Sequence, residues 1–265
     1  MRPAALLLSA GLATRLTGLR DRYAKCCVPV AGTTPLRFLL ERLAAAGWQE
    51  VWINLHHRAS QVRSEAERHA PAGMTLRFLD EDALLGTGGT LLEAERQGAR
   101  VGVVVNAKLF TDFDFARLRD AEPGTVVLHG ASPLSVFGGL RHDAAGRVTG
   151  LVSRPPAGPP RDRGDRGGAG LAVDGAAVYT GICTPHPDWL PLLREARTRR
   201  PDAALCLVRD ALLPGLSAGV PAQALVHPGF WCEISTPERV AAAEETLRRW
   251  APADPAAADS DRAAR

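Results

Sequence analysis

Short apolar runs and helix-length amphipathic stretches alternate along the first half of the chain, and this alternation restricts the fold more than any other feature. Residues 3–9 (PAALLLS) are apolar and end at Gly11, as a buried strand entering a glycine-bearing loop does. Thr34 and Pro35 then open a helix, with threonine as N-cap and proline at the first helical position. Leu36, Leu39, Leu40 and Leu43 fall at helical spacing, and Gly47 stops the helix. Val51, Ile53 and Leu55 alternate as a second strand, and a polar helix follows to about residue 70. Leu76 and Phe78 mark a third strand, a glycine-led helix begins near Gly88, and Val101–Val105 is another fully apolar strand. Strand alternating with helix predicts an α/β layer fold with a largely parallel sheet.

The second half is less regular. Val126–Leu128 reads as a strand, and Val136–Leu140 pairs with Arg147–Val152 around the turn His142–Gly146. Residues 154–170, rich in Arg, Gly, Pro and Asp, read as a mobile loop. A strand ends in Val178–Ile182, helices are expected at 187–199, 202–213 and 237–250, and strands near 223–227 and 230–234. The expected organisation is one domain over 1–250 and a disordered Ala/Asp/Pro-rich tail over 251–265.

Composition removes several classes of protein. A formal net charge of +3 over 265 residues gives no electrostatic case for a nucleic-acid partner. Cys26, Cys27, Cys183, Cys206 and Cys232 are odd in number and include no C-x-x-C pair, which fits reduced thiols better than a disulfide framework or a zinc site. The apolar run Ala4–Leu8 is too short for a signal peptide, and no stretch has the length of a membrane span. A soluble cytoplasmic protein is expected. His56 and His57, at a strand end, read as loop histidines rather than metal ligands. Of the 32 Lys and Arg residues only Lys25 and Lys108 are lysines, which singles out both positions.

The first strand runs into Ser9-Ala10-Gly11-Leu12-Ala13-Thr14-Arg15, with Lys25 ten residues further on. A small-residue loop at the end of a strand lets backbone N–H groups approach phosphates, and an arginine and a lysine nearby can neutralise them. The loop is neither a P-loop nor a dinucleotide fingerprint, and on its own such a turn is structural more often than functional.

Spacing takes the reading further. Gly11-x-x-Thr14-Arg15, with Lys25 fourteen residues after the glycine, resembles the signature of the sugar-phosphate nucleotidyltransferases. Ala13 stands where that family has a second glycine and Ala24 where it has proline. The resemblance continues through Pro29-Val30-Ala31-Gly32, and Leu85-Gly86-Thr87-Gly88-Gly89 looks like the loop that receives the nucleobase. Val104-Val105-Asn106 looks like the start of the family's V-N-G-D segment, and Tyr179-Thr180-Gly181-Ile182 resembles the strand lining the sugar pocket. Trp231-Cys232-Glu233-Ile234-Ser235-Thr236-Pro237-Glu238 resembles W-x-D-x-G-T-P-E, and Arg154-Pro155 sits where the family often has lysine-proline near the sugar phosphate. The register holds from about residue 3 to 248. Among subfamilies the chain looks most like uridylyltransferases of N-acetylmuramate 1-phosphate and guanylyltransferases of heptose and mannose 1-phosphate.

The resemblance implies a Rossmann-like nucleotidyltransferase fold, with a mostly parallel mixed central sheet flanked by helices. It implies transfer of NMP from an NTP to a sugar 1-phosphate, releasing pyrophosphate. Arg15, Lys25 and Lys108 fall at catalytic positions. Ala10, Gly11, Ala13, Thr14, Gly86, Thr87, Gly88 and Asn106 fall at nucleotide-binding positions, and Tyr179, Thr180, Gly181 and Arg154 at sugar-binding ones. The family holds Mg²⁺ with two aspartates, and here their places are taken by Lys108 and Glu233. Glu233 can still serve a metal, whereas a charged lysine repels one. Two readings follow: an enzyme in which the Lys108 ammonium stands for a metal charge and Mg²⁺ is dispensable, or a catalytically impaired homologue that binds a nucleotide or nucleotide-sugar in a regulatory or scaffolding role. An unrelated dinucleotide binder is disfavoured by the missing fingerprint. The expected partners are an NTP and a sugar 1-phosphate, with a homodimer as a further expectation.

Overall fold

The structure is a computed structural model that describes residues 3–153 and 175–250. Arg154, the whole of the expected 154–170 loop and the 251–265 tail lie outside the described residues.

The first half follows the alternation in its sequence. Strand β1 (Ala4–Leu8) is almost wholly buried. Helix α1 (Pro35–Ala45) starts where the Thr34 hydroxyl accepts the Arg37 N–H at 3.1 Å, and it buries the expected leucines. Strand β2 (Glu50–Leu55), helix α2 (Ala59–His69), strand β3 (Thr75–Asp80), helix α3 (Gly86–Arg96) and strand β4 (Val101–Asn106) follow in turn. Next come β5 (Leu109–Thr111), β6 (Thr125–His129), the helical turn α4 (Leu134–Phe137), β7 (Gly139–His142), β8 (Val148–Val152) and β9 (Ala176–Cys183). Helix α5 (Trp189–Arg199), a π-helical stretch Val208–Leu212 running into α6 (Leu213–Ser217), β10 (Gln223–His227), β11 (Trp231–Glu233) and α7 (Pro237–Trp250) complete the order.

Among the described residues nine strands form one sheet. Seven run in the order β10-β6-β9-β4-β1-β2-β3, and β7 and β8 extend antiparallel from β9. β1 pairs parallel with β2 and β4, β2 with β3, and β6 with β10. β9 runs antiparallel to both β4 and β6. The C-terminal ends of β1, β2, β3, β4, β6 and β10 therefore share one edge, where ligands bind in sheets of this kind. Alternate residues of β1 feed two cores. Ala5 and Leu7 pack with α1, α2 and α7, while Ala4 and Leu6 pack with α3 and α5. None of the described helices is long and apolar enough to cross a membrane, and all five cysteines are unpaired.

Three elements differ from the sequence expectation. Residues 134–137 turn as α4 after Pro133, and Gly138, at φ 70°, ends that turn so that the strand begins only at Gly139. The helix expected over 202–213 starts later, because Leu205 lies extended beside the head of α3. Its N–H donates to the Leu85 carbonyl at 2.8 Å, and its carbonyl accepts the Gly88 N–H at 2.9 Å. Strand β5 was not expected. It exists through its antiparallel pairing with β11.

Gly86 allows that docking of α3. Its φ is +76°, and a Cβ there would lie 2.4 Å from the Leu205 carbonyl oxygen. Gly86→Ala should lower stability by at least about 2 kcal/mol, from left-handed strain and the backbone clash together. The check is a lower urea midpoint with an unchanged slope.

Candidate active site

A cleft of about 310 Å³ opens over the C-terminal ends of β1 and β4. Gly11 and Lys25 form its floor, the head of α3 with Gly86 and Thr87 forms one wall, and Asn106 and Lys108 form the other.

The glycine loop is held from beneath by a buried polar network. The N–H groups of Ser9 and Ala10 donate to Asn54 Oδ1 at 2.6 and 3.3 Å. Asn54 Nδ2 in turn donates to Glu81 Oε1 at 2.9 Å and to Thr90 Oγ1 at 3.1 Å, and Thr90 donates to Glu81 at 2.6 Å. Glu81 Oε2 accepts the Leu85 N–H at 3.2 Å. The network joins β1, β2, β3 and α3, so both sides of the cleft are set by one connected group of hydrogen bonds. Asn54 and Glu81 line the cleft and were not among the sequence candidates. The signal was a polar residue inside the otherwise apolar strand VWINL, and an acid between β3 and the glycine turn.

Lys25 begins a single 3-10 turn whose next two residues, Cys26 and Cys27, are buried in the core. The chain before it is tied to α2, since Gln61 Oε1 accepts the Ala24 N–H at 2.6 Å. The ammonium is thus brought to the cleft by an anchored backbone. Burial, then the charges of Lys108 and Arg15, lower its pKa from 10.5 to about 8, with Glu233 opposing. Lys25 and exposed Arg15 have no ion-pair partner among the described residues.

Lys108 and Glu233 are brought together by the β5–β11 ladder, in which Leu109 faces Glu233 and the Ile234 N–H donates to the Lys108 carbonyl at 2.8 Å. The Lys108 ammonium pairs with Glu233 Oε2. Glu233 Oε1 accepts from Arg239 Nη1 and, at 2.7 Å, from the Ser235 hydroxyl. The Glu233 side chain is only 9% exposed. Burial alone would raise its pKa, but Lys108, Ser235 and Arg239 outweigh burial and hold it below the usual glutamate value.

Other sequence candidates lie off the cleft wall. Ala13, where a glycine was expected, is buried at φ 52°, in the left-handed region that glycine enters without strain. Thr14 is exposed on the same loop. Gly88 is buried within α3, where a Cβ would meet Leu193 of α5, so its small size serves helix packing. Tyr179 packs against the second core, beside Cys183. Buried Thr180 donates to the Val127 carbonyl at 2.7 Å. Gly181, at φ +83°, lies under the Asn106 side chain, and a Cβ there would sit 2.1 Å from Asn106 Nδ2. Its lack of a side chain leaves room for Asn106, which lines the cleft. Ala10, by contrast, does line the cleft, and its N–H donates to Asn54 Oδ1 at 3.3 Å.

The fold and cleft are those of an α/β protein with a glycine loop and a lysine at the C-terminal ends of its parallel strands. The chain belongs to the nucleotidyl transferase family, whose sequence model matches residues 4–247. It is 29% identical over 160 residues to a mannose-1-phosphate guanylyltransferase catalytic subunit beta of Drosophila melanogaster, a match covering 57% of this chain and 43% of that protein. It is 32% identical over 93 residues to an N-acetylmuramate alpha-1-phosphate uridylyltransferase of Caulobacter vibrioides, covering 34% of this chain and 38% of that one. These matches therefore span less than half the length of either relative. The fold is similar to that of HddC from Yersinia pseudotuberculosis complexed with GMP-PN, with TM-score 0.67 and 19% identity over 92% of this chain and 99% of that chain.

The pair Lys108 and Glu233 does not fit a magnesium ion held as the family holds it. Mg²⁺ needs oxygen ligands, yet one position offers an ammonium and the other a carboxylate whose two oxygens already face cations. Among the described residues no three His, Cys, Asp or Glu side chains gather as a metal group.

Glu233→Ala would leave two cations facing each other in a half-buried site, and should cost about 3 kcal/mol in chemical denaturation. The sign of the pH effect follows from the lowered pKa. The carboxylate adds stability above its ordinary value of 4.5, and that stability is lost as pH falls through the folded value. Glu233→Gln should flatten the acid limb of the stability profile, and an unchanged limb would mean that the pair contributes nothing.

Proposed function

We propose that the protein transfers a nucleoside monophosphate from an NTP to a sugar 1-phosphate, giving an NDP-sugar and pyrophosphate. One observation carries the reading: Gly11, Lys25 and Lys108 line one cleft over the C-terminal ends of β1 and β4, with Glu233 as the partner of Lys108 and none for Lys25 among the described residues. Such a floor is short of negative charge, and a triphosphate supplies it. Family membership and relatives named for guanylyl and uridylyl transfer support the same reaction class.

The triphosphate lies over Gly11, whose missing side chain leaves open space, with Lys25 and Arg15 against its phosphates. The base is directed toward the head of α3 at Gly86 and Thr87. A phosphate oxygen of the acceptor attacks the α-phosphorus. As the new P–O bond forms, the bond to the α,β-bridging oxygen breaks, and pyrophosphate leaves with that electron pair. The side chains act by alignment and by stabilising charge on the equatorial and leaving oxygens. Lys108 supplies positive charge where the family places a metal, so that Mg²⁺ is dispensable at this position. The NTP substrate and the unpaired thiols fit a cytoplasmic protein.

The reading is tested by pyrophosphate release over GTP, UTP, CTP, ATP and dTTP with mannose, glucose and N-acetylmuramate 1-phosphates. Product is expected for at least one pair. NTP binding without any product would favour the binding-only homologue, a reading that the locked Lys108–Glu233 pair also allows. Lys25→Ala should weaken NTP binding by on the order of 1.5–3 kcal/mol. Wild-type affinity should also fall as pH rises through about 8, because Lys25 then loses the proton that attracts phosphate. Lys25→Arg, which stays charged, should show a flat profile by calorimetry, and equally steep profiles would remove Lys25 from the phosphate site.

A further inference from the structure

Beside the Lys108–Glu233 pair, three side chains meet that the transfer reading does not use. The Phe137 ring, on α4, meets the Trp231 ring edge-on with centroids 5.1 Å apart. The guanidinium carbon of Arg239 lies 4.2 Å from the Phe137 centroid, in cation–π contact. Arg239 Nη1 donates to Glu233 and, at 2.6 Å, to the Ser235 hydroxyl. The Nε and Nη2 groups make no hydrogen bond among the described residues. The guanidinium is therefore fixed through one nitrogen and one face, while Nε and Nη2 are left without a protein partner among the described residues. Its side chain is 21% exposed, so solvent reaches only part of it.

Charge points the same way. Glu233 is shared between Lys108 and Arg239, which leaves two cations on one carboxylate. An arginine held rigid with open N–H groups matches two oxygens of a phosphate, and its ordering cost is met before the ligand arrives. In-line displacement brings the attacking phosphate from the side opposite the leaving pyrophosphate. Arg239 stands one carboxylate beyond Lys108, which itself lines the cleft.

We propose that Arg239 binds the phosphate monoester of the acceptor and holds it for attack, through its Nε and Nη2 groups. The proposal rests on the transfer reading for the word acceptor, but the phosphate site can be tested without turnover. The probes are inorganic phosphate and mannose, glucose and N-acetylmuramate 1-phosphates, titrated by calorimetry into wild type, Arg239→Gln and Arg239→Lys. NTP affinity is measured on the same samples as a check that the cleft is intact. The expected result is a loss of about tenfold or more in sugar-phosphate affinity for Arg239→Gln, partly restored in Arg239→Lys, with NTP affinity within about twofold of wild type. If wild type binds none of the four probes, the proposal fails. It fails equally if Arg239→Gln keeps wild-type affinity. If sugar-phosphate and NTP affinities fall in parallel, Arg239 acts only through Glu233 and Lys108, which overturns a direct contact. Sugar-phosphate binding that needs Arg239 in a protein releasing no pyrophosphate would sustain the site while ending the transfer reading. Turnover with an Arg239-independent acceptor affinity would do the reverse.

Discussion

A single buried carboxylate shared by two cations governs the chemistry of this cleft. Glu233 sits between Lys108 and Arg239 with Ser235 beneath it, and the four groups join the β4–β5 turn to β11 and the start of α7. An ion pair taken out of water seldom adds much net stability, but deleting one member leaves an uncompensated charge and is costly. The cluster therefore fixes position more than it strengthens the fold. It holds the Lys108 ammonium on the wall of the cleft, and it occupies the carboxylate oxygens that a hard cation would need.

The same surplus of positive charge reaches Lys25. Its lowered pKa reflects burial first and the neighbouring cations second, so the cleft holds this charge at a cost. A polyanionic ligand relieves that cost and so gains affinity from it. Function and instability have one source here, as is common where a site is organised in advance of its ligand. The rigid frame around the cations makes this tolerable. The Asn54–Glu81–Thr90 network ties the glycine loop to α3, and the buried cysteines after Lys25 anchor its turn.

Much of the fold was legible because hydrophobic period reports local geometry directly. The β1-to-β4 half, with its Thr34 cap, follows that pattern element by element. The second half depends on pairing between distant segments, which period does not carry. β9 enters the sheet antiparallel between β4 and β6, β5 is a strand only through β11, and Leu205 is kept out of the helix by its hydrogen bonds to the head of α3. For the site, the rarity of lysine and the loop motifs pointed to Lys25, Lys108, Gly11, Gly86, Thr87 and Asn106, all of which line the cleft. Motif matching could not separate residues that face a ligand from those that shape its wall. Gly88 and Gly181 match their motifs, yet each makes room for a protein side chain, Leu193 and Asn106 respectively. Arg239 gave no sequence signal, being one of many arginines, and only its contacts with Glu233 and Phe137 distinguish it.

The central claim is that protein charge stands where the family places a metal. Calorimetric titration of NTP into wild type and Lys108→Asp, each with Mg²⁺ and with EDTA, tests it most directly. Wild-type affinity should survive EDTA. The variant should bind about tenfold or more weakly in EDTA, where a carboxylate faces phosphate oxygens, and recover when Mg²⁺ is supplied. Loss of wild-type binding in EDTA, with recovery on adding Mg²⁺, would contradict it.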